Sequence, residues 1–251
     1  MKLLALILIL AFVGRAGAGA EAPPAGMVEV KAGEYKLFYR EKDQKELASV
    51  SSFYIDKLPV TNKEYLEFVK KNPEWKKSAV PTVFATVNYL QSWPKVTEFP
   101  AGKGNHPVVS VSWFAARKYC ESQGKRLLTV IEWEYASDSD NPLNAEKILE
   151  WYGRPNSQLS AVNTGKANKF GVHDMHGLIW EWVEDFASVI IKGDSRSDNS
   201  REKNLFCGSG SLGAASSEEY ATFMRFAFRS SLKGNYATEN LGFRCGKDLK
   251  P

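Results

Sequence analysis

Cysteines and histidines are the side chains here that could support redox or metal chemistry, and the 251-residue chain holds only three of each. Cys120, Cys207 and Cys245 allow one disulfide with one thiol left over, and spacing alone permits three pairings. A thiol becomes reactive only where positive charge lowers its pKa and solvent can reach it. The expectation for a leftover thiol is therefore a structural or incidental one. His173 and His176 could form part of a metal site, but such a site needs three or four ligands with oriented supporting partners, and no spacing supplies them. No hydrolase nucleophile signature, glycine-rich phosphate loop or zinc spacing occurs elsewhere. Trp180 and Trp182 alternate around Glu181, so an extended backbone puts both rings on one face, expected to pack in the core.

The elements that position these residues can be read from caps and periodicity. Val28 and Val30 alternate with Glu29 and Lys31, and Ser52 to Asp56 is rich in aromatic and β-branched residues; both read as half-buried strands. Thr61-Asn62-Lys63-Glu64 fits a capping box and predicts a helix over 62–71, with Tyr65, Phe68 and Val69 inward and Pro73 ending it. Ser112 can cap a second helix with Trp113, Ala116, Tyr119 and Cys120 inward and Gly124 as its stop. Thr129 to Glu132 is another capping box, opening a short helix with Trp133 and Ala136 as its apolar face. After these come helical turns and Gly/Asn/Ser-rich connections. Strands and helices do not alternate, which predicts α+β with much irregular structure. Gly193 to Lys203 reads as an exposed loop.

Composition narrows the functional classes. Lys2, the apolar run Leu3 to Val13 and the small residues Ala16 to Ala20 form a secretory signal over 1–20, with cleavage expected after Ala18 or Ala20. The run is too short to span a bilayer, which takes about 20 residues. A secreted or periplasmic domain over 27–251 follows, with no membrane span in the mature chain. The formal charge is only +4, with acidic and basic residues interspersed, so nucleic acid is not an implied partner.

Several segments carry a family resemblance, in order along nearly the whole mature chain. They are Leu58 to Tyr65, His106 to Trp113, Arg126 to Ala136, Asn168 to Trp182, and Asn240-Leu241-Gly242-Phe243-Arg244-Cys245. Together they resemble the formylglycine-generating enzyme, or sulfatase-modifying factor, family. The resemblance implies that family's fold, a variant of the C-type lectin fold, and a Cys120–Cys245 disulfide with Cys207 free. It also implies a pocket with Ser211, Arg229 and Asn240. A calcium site would take side-chain oxygens from Asp174 and Glu181 and backbone carbonyls from Gly177 and Ile179. That donor set suits calcium, a hard cation. A second calcium site beginning at Asn163 is expected to be missing, because the loop that completes it is shorter here.

The family's reaction uses two thiolates to hold Cu(I), a soft ion. The corresponding stretch, Gly210 to Arg229, has no cysteine, the two positions falling near Ala214 and Ala221, and Phe226 stands where the family has half of another disulfide. Copper and formylglycine formation are therefore not expected. Leu178 replaces an asparagine of the motif. The resulting expectation is a binding or accessory factor for an exported protein or small-molecule ligand. The alternative is an enzyme using the same pocket for cysteine-independent chemistry, as relatives in siderophore maturation do.

Overall fold

The computed structural model describes residues 22–38, 45–139, 141–154, 159–187 and 217–249. Strands β1 (Met27–Val30), β2 (Gly33–Lys36), β3 (Leu47–Val50) and β4 (Phe53–Asp56) precede helix α1 (Asn62–Lys71). Then come α2 (Trp113–Ser122), β5 (Arg126–Leu127), α3 (Val130–Ala136), α4 (Pro142–Tyr152) and β6 (Trp180–Glu181). Helix α5 (Ser217–Ser230), β7 (Leu241–Gly242) and β8 (Cys245–Asp248) complete the order. The main sheet runs β1-β4-β8-β5, and its pairings are antiparallel. The C-terminal strand β8 thus sits centrally, closing the fold on its own N-terminal half.

The expected caps form. Thr61 Oγ1 accepts from the Glu64 amide while Glu64 Oε2 accepts from the Thr61 amide at 2.8 Å. Thr129 and Glu132 repeat the exchange at α3. Each cap satisfies amides that the first helical turn cannot pair, at about 1 kcal/mol per cap. At the end of α2, Gly124 takes a φ of 64°. The Lys125 amide donates to Cys120 O and the Gly124 amide to Glu121 O. This pair of bonds is the Schellman arrangement that terminates a helix at glycine.

Three expectations need correction. Strand β4 is not half-buried: Phe53, Tyr54 and Ile55 are all buried, because β4 lies between β1 and β8 with both faces covered. Trp113 is only half-buried, with Ala115 in the inward stripe, and its indole donates to Val183 O. Helices α4 and α5 were read as turns and loop. The buried face of α5 explains the difference, since it holds Ala221, Thr222, Phe223, Arg225, Phe226 and Arg229. That is helical spacing, but its members include two arginines that a hydropathy pattern assigns to solvent.

Among the described residues, the two largest of four buried clusters fill most of the interior. One gathers Tyr65, Phe68, Trp93, Tyr119, Trp182 and Phe243; the other gathers Phe53, Ile55, Leu128, Trp133 and Val183. Gly242 permits the β7 approach, since a Cβ there would lie 2.4 Å from Val108 O. Among the described residues no helix is long and apolar enough to cross a membrane.

Cys120 on α2 and Cys245 on β8 form a disulfide spanning 125 residues of sequence. It ties a helix to the central sheet. Cys207 and the 193–203 segment lie outside the described residues. Replacing Cys120 by alanine is expected to expose one extra alkylatable thiol at Cys245 and to destabilise by about 2–4 kcal/mol. Denaturant melts with non-reducing peptide mapping check both; a Cys207 crosslink in the wild-type protein would overturn the pairing.

Candidate functional site

The capped start of α3 fixes Trp133 and Glu134, and α5 brings two arginines onto Glu134. Arg225 donates through Nε and Nη2 to Glu134 Oε2 at 3.0 and 2.8 Å, and Nε also reaches Oε1. Arg229 Nη1 donates to Oε1 at 2.7 Å. Its guanidinium also lies 4.4 Å from the centre of the Trp133 ring, a cation–π contact. All three ionic side chains are buried. Burial alone would push the Glu134 carboxyl up, but the two guanidiniums outweigh it and hold the pKa at about 2.

His176 stands beside this cluster. One ring nitrogen, Nε2, donates to Ser137 O at 3.0 Å, and the ring meets Trp133 edge-on. Desolvation, helped by Arg225, pushes its pKa down to about 3, so the imidazole is neutral at physiological pH. Burial likewise raises the Tyr35 and Tyr152 hydroxyls, which stay protonated.

A second buried pair lies one motif away. Arg244 makes a fork to Glu181, with Nε at 2.9 Å from Oε2 and Nη2 at 2.8 Å from Oε1. The Trp133 indole adds a donor to Glu181 Oε2 at 2.7 Å. Glu181, the expected calcium ligand, is therefore held by partners from within the chain. A carboxylate offers about four lone-pair sites, and here donors from a cation and an indole take three of them. Asp174 has a φ of 56° and accepts from the Asn163 amide at 2.5 Å, closing a turn in which Gly177 also has a positive φ. Asp174 and Glu181 are therefore tied to different partners, and the described residues contain no cluster of three or more His, Cys, Asp or Glu side chains placed for a metal. As placed, the donor set does not fit calcium.

Two of the three residues expected in the polar pocket, Arg229 and Asn240, lie among the described residues. Ser211 and Ala214 lie outside the described residues. Arg229 lines a small cavity of about 10 Å³ with Arg225, Trp133 and His176. Asn240 instead lines a larger cleft of about 210 Å³ with Trp151, Tyr152, Leu178 and Trp180. Trp151, Tyr152 and Trp180 are common to both. The cleft is aromatic. Trp180 stacks on Tyr152 at 4.8 Å and on Phe228 at 4.0 Å, with Trp151 at 5.1 Å. Only Trp182 is the core residue expected of the tryptophan pair, at 1% exposure.

Backbone pairing fixes the platform: the Trp180 amide donates to Asn240 O and the Trp182 amide to Gly242 O, within the parallel β6–β7 pair. Trp151, Tyr152 and Arg225 were missed because α4 and α5 were missed. Ala221 is packed against Ala145 and Ile148 with no thiol, and Phe226 packs on Phe38. His173 meets Gly165 O and His106 meets Lys103, so the histidines are spent separately.

The neutral His176 makes stability pH-dependent. Its folded pKa is depressed, so below an ordinary value near 6.5 the unfolded chain takes up a proton the folded protein refuses. Stability from this group is full above pH 6.5 and falls as pH drops toward about 3, by up to ~1.4 kcal/mol per pH unit. His176→Gln is expected to flatten that slope in urea melts between pH 6.5 and 4; an unchanged slope would show that the imidazole protonates freely in the folded state.

Comparison with known proteins follows this geometry. Residues 15–249 match the sulfatase-modifying factor enzyme 1-like domain. A formylglycine-generating enzyme of Streptomyces coelicolor is 31% identical over 170 residues, which cover 59% of this chain and 54% of that one. The chain thus spans about half the length of that relative. A Bos taurus protein named inactive C-alpha-formylglycine-generating enzyme 2 is 26% identical over 271 residues, covering 87% of each. The solved structure of PvdO from Pseudomonas aeruginosa is 19% identical, covers 89% of this chain and 94% of that one, and gives a TM-score of 0.48. The chain, with its α+β fold, belongs to the sulfatase-modifying factor, or formylglycine-generating enzyme-like, family.

Proposed function

We propose that this protein is an exported binding or accessory factor that keeps the family's fold without its thiol-dependent oxidation. One observation carries this reading: of three cysteines, Cys120 and Cys245 are joined, leaving Cys207 as the one remaining thiol. A copper centre held by two thiolates needs a second sulfur that the chain does not contain. Support for export is the disulfide itself, since such bonds persist in oxidising compartments.

The aromatic cleft beside Asn240 is the recognition surface of this reading. Its flat Trp151, Tyr152 and Trp180 walls, with the Asn240 amide and the Arg154 guanidinium as polar groups, suit a planar group oriented by a few polar contacts. Its volume suits a fragment, such as one side chain of an exported protein or part of a small metabolite.

Incubation with a sulfatase-motif peptide, Cu(I) and O₂, read by mass spectrometry, is expected to leave the peptide cysteine unmodified. Turnover that survives Cys207→Ser would overturn the reading. Calcium is no part of it, because Glu181 is committed to Arg244 and Trp133. Calorimetry on folded, chelator-treated protein is expected to give no saturable heat with calcium, whereas a stoichiometric heat abolished by Asp174→Ala would reinstate the site.

A further inference from the structure

The Glu134 cluster carries more positive charge than its own side chains neutralise. Arg225 and Arg229, 1% and 3% exposed, share one carboxylate. Nearby Arg244 is matched one to one by Glu181, so it has no negative charge to lend. His176 is neutral and lends none either. A buried charge without a counter-charge is strongly unfavourable. Moreover, among the described residues Arg225 Nη1 and Arg229 Nε are buried without a partner at hydrogen-bond geometry, with the Tyr152 hydroxyl beside Arg225 as a neutral group acting on it. Buried donors left unpaired carry their full desolvation penalty.

Both arginines line the same small cavity, together with Trp133, Tyr152, His176 and Trp180. At about 10 Å³ it accepts one particle of roughly water size. We propose that this cavity is a binding site for a single monovalent anion of halide size, which takes the unpaired Arg225 and Arg229 donors and neutralises the cluster. Charge favours an anion over water, which could accept the hydrogen bonds but not cancel the excess. The small volume favours a monatomic anion over sulfate, phosphate and carboxylates. Bound between α3 and α5, the anion would act as an ionic fastener for the two helices, next to the aromatic cleft, with which its cavity shares Trp151, Tyr152 and Trp180.

The test is thermal unfolding at fixed ionic strength with chloride or bromide exchanged for gluconate. A ligand that binds only the folded state raises the midpoint with concentration and saturates, whereas general salt effects do not saturate. A saturable rise of about 2–4 °C is expected, the shift that a fivefold tilt of the folding equilibrium produces in a domain of this size. Arg229→Met leaves Arg225 and Glu134 matched one to one and is expected to lose the halide dependence. Crystals grown in bromide should give an anomalous peak within hydrogen-bond reach of both guanidiniums. Equal midpoints in chloride and gluconate, or bromide confined to the surface with water in the cavity, would overturn the proposal. If Arg229→Met does not fold, the wild-type titration and the bromide crystal still decide it.

Discussion

Glu134 is the group on which the α3–α5 half of the molecule depends. It projects from a seven-residue helix that is set by its own capping box, and it receives two arginines from a helix more than eighty residues later in the chain. Dry ion pairs are weak sources of net stability, because desolvation offsets most of the attraction, but removing one partner strands the other at a cost of about 3–5 kcal/mol. Such a cluster therefore acts chiefly against alternatives. A register shift of α5 by one residue would carry Arg225 and Arg229 off the carboxylate and into apolar surroundings. The cation–π contact of Arg229 with Trp133 ties the same arginine to the neighbouring α3 side chain.

Trp133 links that cluster to the second ion pair. Its indole donates to Glu181, which Arg244 grips through a fork, and Arg244 in turn donates to His173 O. The segment 173–182 is thereby held on both sides of Glu181. With the carboxylate turned inward, alternation along β6 places Trp180 and Trp182 on the opposite side of the strand. Neighbouring packing then separates the two rings: Trp182 donates to Val111 O in the core, while Trp180 enters the stack with Tyr152 and Phe228. The aromatic cleft is thus a by-product of where Glu181 must go. The Cys120–Cys245 bond anchors the residue following Arg244, so the guanidinium approaches Glu181 from a fixed strand.

Much of the fold was legible because its signals are local. Thr61 with Glu64, Thr129 with Glu132, and Gly124 after α2 each act within one turn, and each appears where the spacing put it. What was not legible depends on distant partners. Glu181 in an Asp-x-x-Gly-x-x-x-Glu spacing carries no mark of the arginine 63 residues away that occupies it. Arg229 and Asn240 were read as one pocket, yet intervening aromatic side chains from α4, itself missed, give them different cavities. Helix α5 hid for a related reason, since a stripe with Arg225 and Arg229 facing inward contradicts the hydrophobic pattern that identifies buried helices.

The positions of Ala221 and Phe226, which the resemblance aligns with sulfur positions of the family, are filled by packing in this chain. Ala221 lies on α5 one turn before Arg225, buried against Ala145 and Ile148 of α4. A methyl group there lets the two helices pack closely, and the burial of apolar surface along α4 and α5 stabilises the arrangement that aims Arg225 and Arg229 at Glu134. Phe226 replaces another sulfur position with a ring on Phe38, extending the apolar cluster to the N-terminal hairpin. Each substitution adds packing at a point where metal or disulfide chemistry would have needed a reactive, polar sulfur. The frame of buried ion pairs is compatible with either use of these positions, because its charged members lie at 134, 181, 225, 229 and 244 rather than at 221 or 226.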